Sequence, residues 1–169
     1  MTATELLDLV RKRRSIRRYK SDPVPQNKLK YVLEAARLAP SWGNRQCWRF
    51  VVVTDEAKRK AIATREWAAE APAIIVGCAY PSLSGSRFNQ QYYMLDMGIA
   101  MEHLILAAAE QDLGTCWIGG QFDEEAVKQT LGIPREARVV ALTPIGYPAE
   151  TPAPKGRKEL EEIVSYNKW

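Results

Sequence analysis

The stretch QQYYMLDMGIAMEHLILAAAEQ, residues 90–111, decides how this chain folds, because its apolar residues recur with the spacing of an α-helix. We predict that it forms the longest helix of the protein. Its many small side chains let neighbouring elements approach closely, so we expect a central helix that could also be the seam of a dimer. The stripe predicted to be buried consists of Met97, Ala100, Met101, Leu104, Ile105 and Ala108.

Shorter segments on both sides predict strands that alternate with helices. Strands are predicted over residues 48–54, 73–80 and 138–147, with a short strand within 114–120. Helices are predicted over residues 5–13, 26–38 and 123–131, with a short polar helix from Asp55. Residues 81–89 are predicted as a flexible loop, and the tail from Pro148 as an extended arm with a helical stretch from Lys158. This order predicts one domain, residues 1–169, in the α/β or α+β class.

The segment Arg11–Lys20, here called the cationic segment, carries seven cations and no acid in ten residues. The whole chain has 24 Lys and Arg against 20 Asp and Glu, a formal charge of +4. Removing the seven cations from the 24 leaves 17 against 20 anions, so the remainder is mildly acidic. A local cationic cluster around Ser15 suits a single phosphate group better than a polyanion.

Composition disfavours several classes of protein. No apolar run reaches the roughly 18 residues that a membrane span needs, and the first residues lack the apolar core of a signal peptide. The three cysteines are widely spaced, and a single histidine leaves no Cys/His cluster. We therefore expect a cytoplasmic protein without a membrane span, disulfide framework or metal site. Cys78 and Cys116 lie in apolar strand contexts and are predicted to be inert core thiols.

Motifs for the common catalytic mechanisms are missing from the sequence. It has no P-loop, no dinucleotide-binding glycine motif and no nucleophile elbow. His103 lies in the middle of the long apolar stretch, where a packing or interface role is favoured over catalysis. We therefore predict no catalytic side chain, and we expect that in an enzyme of this kind a cofactor carries the chemistry.

Five motifs, in order along nearly the whole chain, resemble those of the nitroreductase family of flavin enzymes. They are Arg13–Tyr19, Ala39–Trp48, Asp96–Ala100, Leu113–Gly120 with Leu131–Pro134, and Pro144–Pro148 with Lys155–Arg157. The resemblance implies a mixed α+β homodimer with a central, mostly antiparallel sheet, a long interface helix and an extended C-terminal arm. It also implies an oxidoreductase that binds FMN and takes its hydride from NADH or NADPH.

One residue departs from the family pattern. Cys47 follows Gln46, where the family usually has Pro. The change alters the stiffness of the loop more than its hydrogen-bond donors, and it would put a thiol near the cofactor.

A phosphate clamp for FMN is predicted from the two ends of the chain. The phosphate dianion needs several charge-assisted donors. Arg13 and Arg14, with Lys155 and Arg157 from the tail, are predicted to supply them, and Ser15 to donate to the phosphate or the ribityl chain. The alternatives are a solvated charge run and a nucleic-acid patch.

Two further stretches are assigned to the flavin ring. The resemblance places Arg17 near N1 and the C2 carbonyl, where reduced flavin is negative, although it could be one more surface arginine. Ile118, Gly119 and the backbone of Gly120 are expected near N5, because glycine permits close approach. The alternative is a simple turn before Asp123, and both can hold together.

A polar loop completes the predicted site with Pro40, Ser41, Trp42, Asn44 and Gln46. Its amides offer both donors and acceptors to the carbonyls and N3–H of the ring. Taken alone it is ordinary turn chemistry, and the resemblance favours the flavin. Trp42, Trp67 and Phe88 are weaker candidates for covering the ring or shaping a substrate pocket.

Three functional hypotheses follow from the sequence. The first is an FMN-dependent oxidoreductase whose electron-poor acceptor, such as a nitroaromatic or a quinone, uses the same site as NAD(P)H in a ping-pong mechanism. The second is a flavin-binding protein of the same scaffold without nitroreductase turnover, active in flavin destruction or dehalogenation. The third and remote one is a small nucleic-acid-binding module. The sequence leaves the acceptor, the nucleotide preference and the oxygen reactivity open.

Overall fold

A 19-residue helix and a four-stranded sheet form the centre of the structure, a computed structural model that describes residues 3–169. The helices are α1 (Ala3–Lys12), α2 (Gln26–Arg37), α3 (Glu56–Ile62), α4 (Glu66–Ala69), α5 (Tyr92–Glu110) and α6 (Glu124–Leu131). The strands are β1 (Trp48–Val53), β2 (Ala73–Ala79), β3 (Ser86–Arg87), β4 (Gln90–Gln91), β5 (Gly114–Thr115) and β6 (Arg138–Gly146). The antiparallel central sheet has the order β1-β2-β6-β5, and β3 pairs with β4 in a separate hairpin. The predicted mixed α+β class is confirmed.

Helix α5 packs on the sheet through the predicted stripe, all six residues of which are buried. The closest approach is at Gly77 in β2. A Cβ on that residue would lie 2.7 Å from Sδ of Met97, and Met101 lies beside it. Glycine therefore lets the helix lie directly against the strand, which is buried along its whole length.

Helix α2 packs against α5 in the same core and buries Leu29, Val32 and Ala36. His103 of α5 directs Nδ1 at the carbonyl oxygen of Ala35, 3.3 Å away. This contact places the single histidine between two packed helices, in keeping with the packing interpretation.

The opposite face of the sheet has its own core, covered by α3 and α6. Side chains alternate along β2, so Ile74 and Val76 point into this second core while Ile75 points toward α5. Asp55 and Asp123 cap the two covering helices with their carboxylates, which fixes where each helix starts.

Three segments differ from the sequence prediction. The predicted loop 81–89 leads into the β3–β4 hairpin, whose tip residues Phe88 and Asn89 have φ of 51° and 62°. Left-handed residues at the tip close such a hairpin. The helical stretch predicted from Lys158 is only a 3-10 turn, Leu160–Glu162, because residues 158–169 bury no side chain that could stabilise a helix. Helix α4 was not predicted.

None of the helices in residues 3–169 is long and apolar enough to cross a lipid bilayer. The described residues also contain no cluster of three or more His, Cys, Asp or Glu that could hold a metal ion. The three cysteines are free and buried. Burial raises the pKa of Cys78 to about 11 and also raises the pKa of Cys116, so both thiols stay protonated near neutral pH.

Glu124, at the start of α6, ties this helix to β6. Its carboxylate accepts hydrogen bonds from the Arg138 guanidinium at 2.9 Å and the Val139 N–H at 3.0 Å, and it pairs with Lys128 at 3.1 Å. The hydrogen bond from Arg138 is the main cause that lowers the pKa of Glu124 from 4.5 to about 2. A carboxyl whose pKa is depressed by folding stabilises the folded state above its unfolded pKa, and this contribution is lost as the pH falls.

We expect Glu124→Gln to lower the free energy of unfolding by about 2 kcal/mol near neutral pH, because charged hydrogen bonds are lost. The difference from the parent protein should shrink as the pH falls from 4.5 toward 2. Urea unfolding over this range measures it. Glu125→Gln is the matched control, since that side chain is 73% exposed, and it should change stability by less than about 0.5 kcal/mol. A deficit in Glu124→Gln that is independent of pH would contradict the assignment.

Candidate functional site

A cavity of about 600 Å³ lies between the end of α1 and the C-terminal arm. This cationic cavity is lined by Arg11, Arg13, Arg14, Ser15, Arg17, Lys155 and Arg157, together with Val10, Pro152, Ala153 and Pro154. The lining therefore contains six cations and, among the residues that the structure describes, no acid. The structure brings together all of the residues predicted for the phosphate clamp.

The cationic segment is held to the edge of the sheet by Ile16. Its N–H donates to the carbonyl of Thr115 at 2.9 Å. A Cβ on Gly114 would lie 2.6 Å from the Ile16 side chain, so β5 needs glycine where that side chain is buried. With Ile16 turned inward, Ser15 and Arg17 on either side are turned toward the cationic cavity.

The chain beyond β6 runs alongside the cationic segment. The N–H of Ala149 donates to the carbonyl of Arg18 at 2.9 Å. The N–H of Arg17 donates to the carboxylate of Glu150 at 2.6 Å. These two bonds fix the start of the arm, so that its cations reach the cavity formed with the other end of the chain.

Arg13 shows that the cavity is suited to an anion. Its Nε is buried and has no hydrogen-bond partner among the described residues. A buried donor left without an acceptor costs about 1–3 kcal/mol, so the described protein atoms do not satisfy this guanidinium by themselves. Part of the Arg14 guanidinium is already engaged, since it donates to the carbonyls of Arg11 and Arg13. The free donors and the surplus of positive charge fit the phosphate dianion of FMN.

Besides the cationic cavity, the backbone of Ile118–Gly120 is a second part of the structure that a ligand could approach. Ile118 exchanges two hydrogen bonds with Leu142, at 2.9 and 3.0 Å, which extends the pairing with β6. A Cβ on Gly119 would lie 2.5 Å from Nε1 of Trp117, so packing of the indole accounts for that glycine. A Cβ on Gly120 would meet no atom within 4 Å. The described chain does not crowd Gly120, which leaves its backbone approachable by a ligand.

The loop Pro40–Gln46, here called the polar loop, has a constrained backbone. Gly43, Asn44 and Gln46 have φ of 54°, 54° and 49°, a region that residues with a side chain rarely adopt. The Ser41 hydroxyl accepts from the Gln46 N–H at 2.9 Å, and the Ser41 carbonyl accepts from the Asn44 N–H at 2.9 Å. The amide side chains of Asn44 and Gln46 remain exposed. The loop therefore presents mixed donors and acceptors to its surroundings.

A buried carboxylate, Asp96 of α5, anchors the polar loop. It is 3% exposed, and it accepts from the Trp42 N–H at 2.8 Å, the Ser84 hydroxyl at 3.0 Å and the Cys47 thiol at 3.5 Å. Burial, followed by the charge of Asp96, raises the pKa of Cys47 to about 11. The thiol that replaces the family's usual proline therefore points into the interior and binds the anchor of the loop.

The cationic cavity and the polar loop do not meet within one chain, because no residue of the polar loop lines the cavity. Asp96 of α5 holds the loop, whereas Ile105 of the same helix lies beside Arg13 and Ser15. These two helix positions are separated by about 14 Å along the axis and by about half a turn around it. The predicted site is thus divided between two faces of α5.

The three aromatic candidates have different surroundings. Trp42 stacks with Tyr92, with ring centroids 6.0 Å apart, and Phe88 is 85% exposed at the hairpin tip. Trp67 lies against the guanidinium of Arg17. The role of Asp96 as the anchor of the loop was not predicted; the available signal was an acid flanked by apolar residues near the start of the long helix.

The chain matches the model of the Nitroreductase family over residues 10–72 and 63–147. It is 35% identical over 188 residues to an NADH dehydrogenase of Thermus thermophilus, which covers 90% of this chain and 91% of that protein. It is 31% identical over 185 residues to an iodotyrosine deiodinase of Thermotoga neapolitana, and the alignment covers 96% of this chain and 97% of that protein. A solved FMN-dependent nitroreductase of Clostridium difficile has a TM-score of 0.82 at 28% identity, covering 96% of this chain and 99% of that one. Lys155 and Arg157 lie beyond the segments matched by the family model.

We expect Asp96→Ala to lower the free energy of unfolding by about 3 kcal/mol, because three donors lose a buried acceptor. Ser84→Ala removes one of those donors and leaves the carboxylate with the other two, so it should cost about 1 kcal/mol. Urea unfolding of both variants and the parent measures these values. Equal losses in the two variants would show that Asp96 is not the centre of the cluster.

Proposed function

Because the chain belongs to the nitroreductase family, we propose that it is an FMN-dependent oxidoreductase that takes a hydride from NADH or NADPH and reduces electron-poor acceptors such as nitroaromatics or quinones. The observation that carries the proposal is the cationic cavity. It gathers six cations from both ends of the chain around a buried donor that has no partner among the described residues.

The cationic cavity is assigned to the phosphate of FMN. Its oxygens would accept from Arg13 and Arg14 on one wall and from Lys155 and Arg157 on the other, with Ser15 donating to the phosphate or the ribityl chain. Charge-assisted bonds of this kind are roughly twice as strong as neutral ones. The phosphate would thereby fix the C-terminal arm against the cationic segment.

Arg17 and Gly120 are assigned to the ring of FMN. Arg17 lines the same cavity as the clamp and would place its charge at the pyrimidine edge of the ring. A cation at this edge stabilises the negative charge that develops there on reduction. The open backbone of Gly120 allows an N–H to approach N5.

The polar loop is assigned to the FMN held by a second copy of the chain. Its position on the other face of α5 separates it from the cationic cavity of its own chain. An apolar surface on α5 supports such pairing, since Met94, Leu95 and Ile99 are 54%, 54% and 41% exposed. Large exposed apolar residues in one patch are typical of interfaces. In a homodimer of this kind, dissociation of the two copies would release FMN.

Bound FMN would supply the hydride-accepting and hydride-donating chemistry, and the protein would supply binding, orientation and charge. No side chain has to act as an acid or base for hydride transfer itself, in keeping with the prediction of no catalytic side chain. NAD(P)H and the acceptor would use the same site in turn, which gives ping-pong kinetics.

A second candidate is reductive dehalogenation on the same scaffold without nitroreductase turnover. It is favoured by the 31% identity to the Thermotoga neapolitana iodotyrosine deiodinase over 96% of this chain. A shared fold does not determine the acceptor. The rate at which NADH or NADPH reduces the bound FMN separates this candidate from the first.

We expect the purified protein to be yellow and to bleach when NADH or NADPH is added without oxygen, followed by its visible spectrum. Subsequent addition of a nitroaromatic or a quinone should restore the colour. A yellow protein that stays oxidised would favour the second candidate. A colourless protein that FMN cannot reconstitute would contradict both, and salt-dependent nucleic-acid binding would then be tested.

Reversing the charge of the arm should weaken FMN binding. We expect the double variant Lys155→Glu, Arg157→Glu to bind FMN roughly 10- to 100-fold more weakly, because two phosphate contacts are replaced by repulsion. Equilibrium titration of the FMN-free protein with FMN, followed by flavin fluorescence, measures the change. Lys30→Glu, Lys58→Glu changes the net charge equally at two exposed positions outside the cationic cavity and serves as the control. Equal affinities of the two double variants for FMN would show that Lys155 and Arg157 of the arm do not bind the phosphate.

A further inference from the structure

The side chain of Arg17 rests on an aromatic face. Its guanidinium carbon lies 5.8 Å from the centroid of the Trp67 ring. Trp67, on α4, is partly buried and packs on the second core, so its ring is held in place from behind. The backbone of Arg17 is fixed separately by the 2.6 Å hydrogen bond from its N–H to Glu150. The residue is therefore positioned at both its backbone and its charged end.

The same short segment also holds the chain next to Gly120. The Thr64 hydroxyl donates to the carbonyl of Gln121 at 2.5 Å, and Nε of Arg65 donates to the side-chain oxygen of Gln121 at 3.3 Å. The loop that precedes α4 thus contacts Gln121, which follows the stretch assigned to N5, and Trp67 at the start of α4 contacts Arg17.

An aromatic partner orients a guanidinium without neutralising it. None of the ion pairs between described residues involves Arg17. A carboxylate in the place of Trp67 would hold the guanidinium equally well, but its charge would oppose any negative charge that developed on a ligand nearby. The face of an indole is the strongest of the aromatic partners for a cation and leaves the net charge unchanged.

We propose that Trp67 is a positioning residue that holds Arg17 at the pyrimidine edge of FMN and thereby raises the affinity of the protein for reduced FMN relative to oxidised FMN. This inference rests on the proposed function, because it takes FMN as the ligand of the cationic cavity. Trp67 acts through Arg17, so its effect disappears when Arg17 has no charge. By linkage, the ratio of the two affinities determines the reduction potential of the bound cofactor.

The test is a double-mutant cycle on FMN-loaded protein, with the midpoint potential and the affinity for oxidised FMN as its readouts. We expect Trp67→Leu to lower the affinity ratio of reduced to oxidised FMN by roughly two- to five-fold, the range of one exposed cation–π contact. Trp67→Phe, which keeps an aromatic face, should retain most of the ratio. In a chain that already carries Arg17→Met, Trp67→Leu should change the ratio no further.

A matched pair elsewhere controls for the loss of an aromatic ring. Lys28 lies 5.1 Å from the centroid of Tyr147, outside both the cationic cavity and the polar loop, and Tyr147→Leu should leave the ratio unchanged. A ratio that is unaltered in Trp67→Leu, or that falls equally with and without Arg17, would overturn the role of Trp67. If the parent protein binds no FMN, the proposed function itself fails and this role fails with it. Thermal stability is no substitute as a readout, since Trp67 also packs on the second core.

Discussion

The approach of α5 to β2 at Gly77 is the constraint on which the rest of the structure depends. With 2.7 Å between a Cβ placed there and Sδ of Met97, even an alanine would displace the Met97 side chain from its packing against the strand. The helix can lie this close because both partners are buried and the strand offers bare backbone at the point of contact. Its position in turn sets where Asp96 meets the polar loop and where the other face meets the cationic segment. A small shift of α5 would therefore move both halves of the site at once.

Much of this arrangement could be predicted because the deciding patterns are local. The buried stripe of α5 follows from helical periodicity, and the main strands lie within one or two residues of their predicted bounds. The chemistry of a phosphate led to the pairing of Arg13 with Arg157 across the chain, and the structure places both on one cavity. The predicted family, the class of NAD(P)H-dependent oxidoreductase and the use of FMN are confirmed by the comparisons. The roles of the individual site residues stay predictions.

What escaped prediction are single contacts between distant parts of the chain. The bond from the Trp42 N–H to Asp96 spans 54 positions and leaves no periodic trace in the sequence. The contact of Arg17 with Trp67 joins a loop to a four-residue helix that is too short to be recognised from its pattern. The contact of the Cys47 thiol with Asp96 likewise joins positions 49 residues apart, and the expectation of a thiol near the cofactor stays a prediction.

Because all three cysteines are buried, their reaction with alkylating reagents reports local opening of the structure. Protonated, buried thiols react with alkylating reagents only when their surroundings loosen. Cys47 lies beneath the polar loop, Cys78 in the inner strand β2 of the sheet and Cys116 next to the strand that holds the cationic segment. The rate at which each is alkylated therefore ranks the local stabilities of three regions in an otherwise unlabelled protein. The three thiols therefore report separately on the region of the polar loop, on the central sheet and on the region that holds the cationic segment.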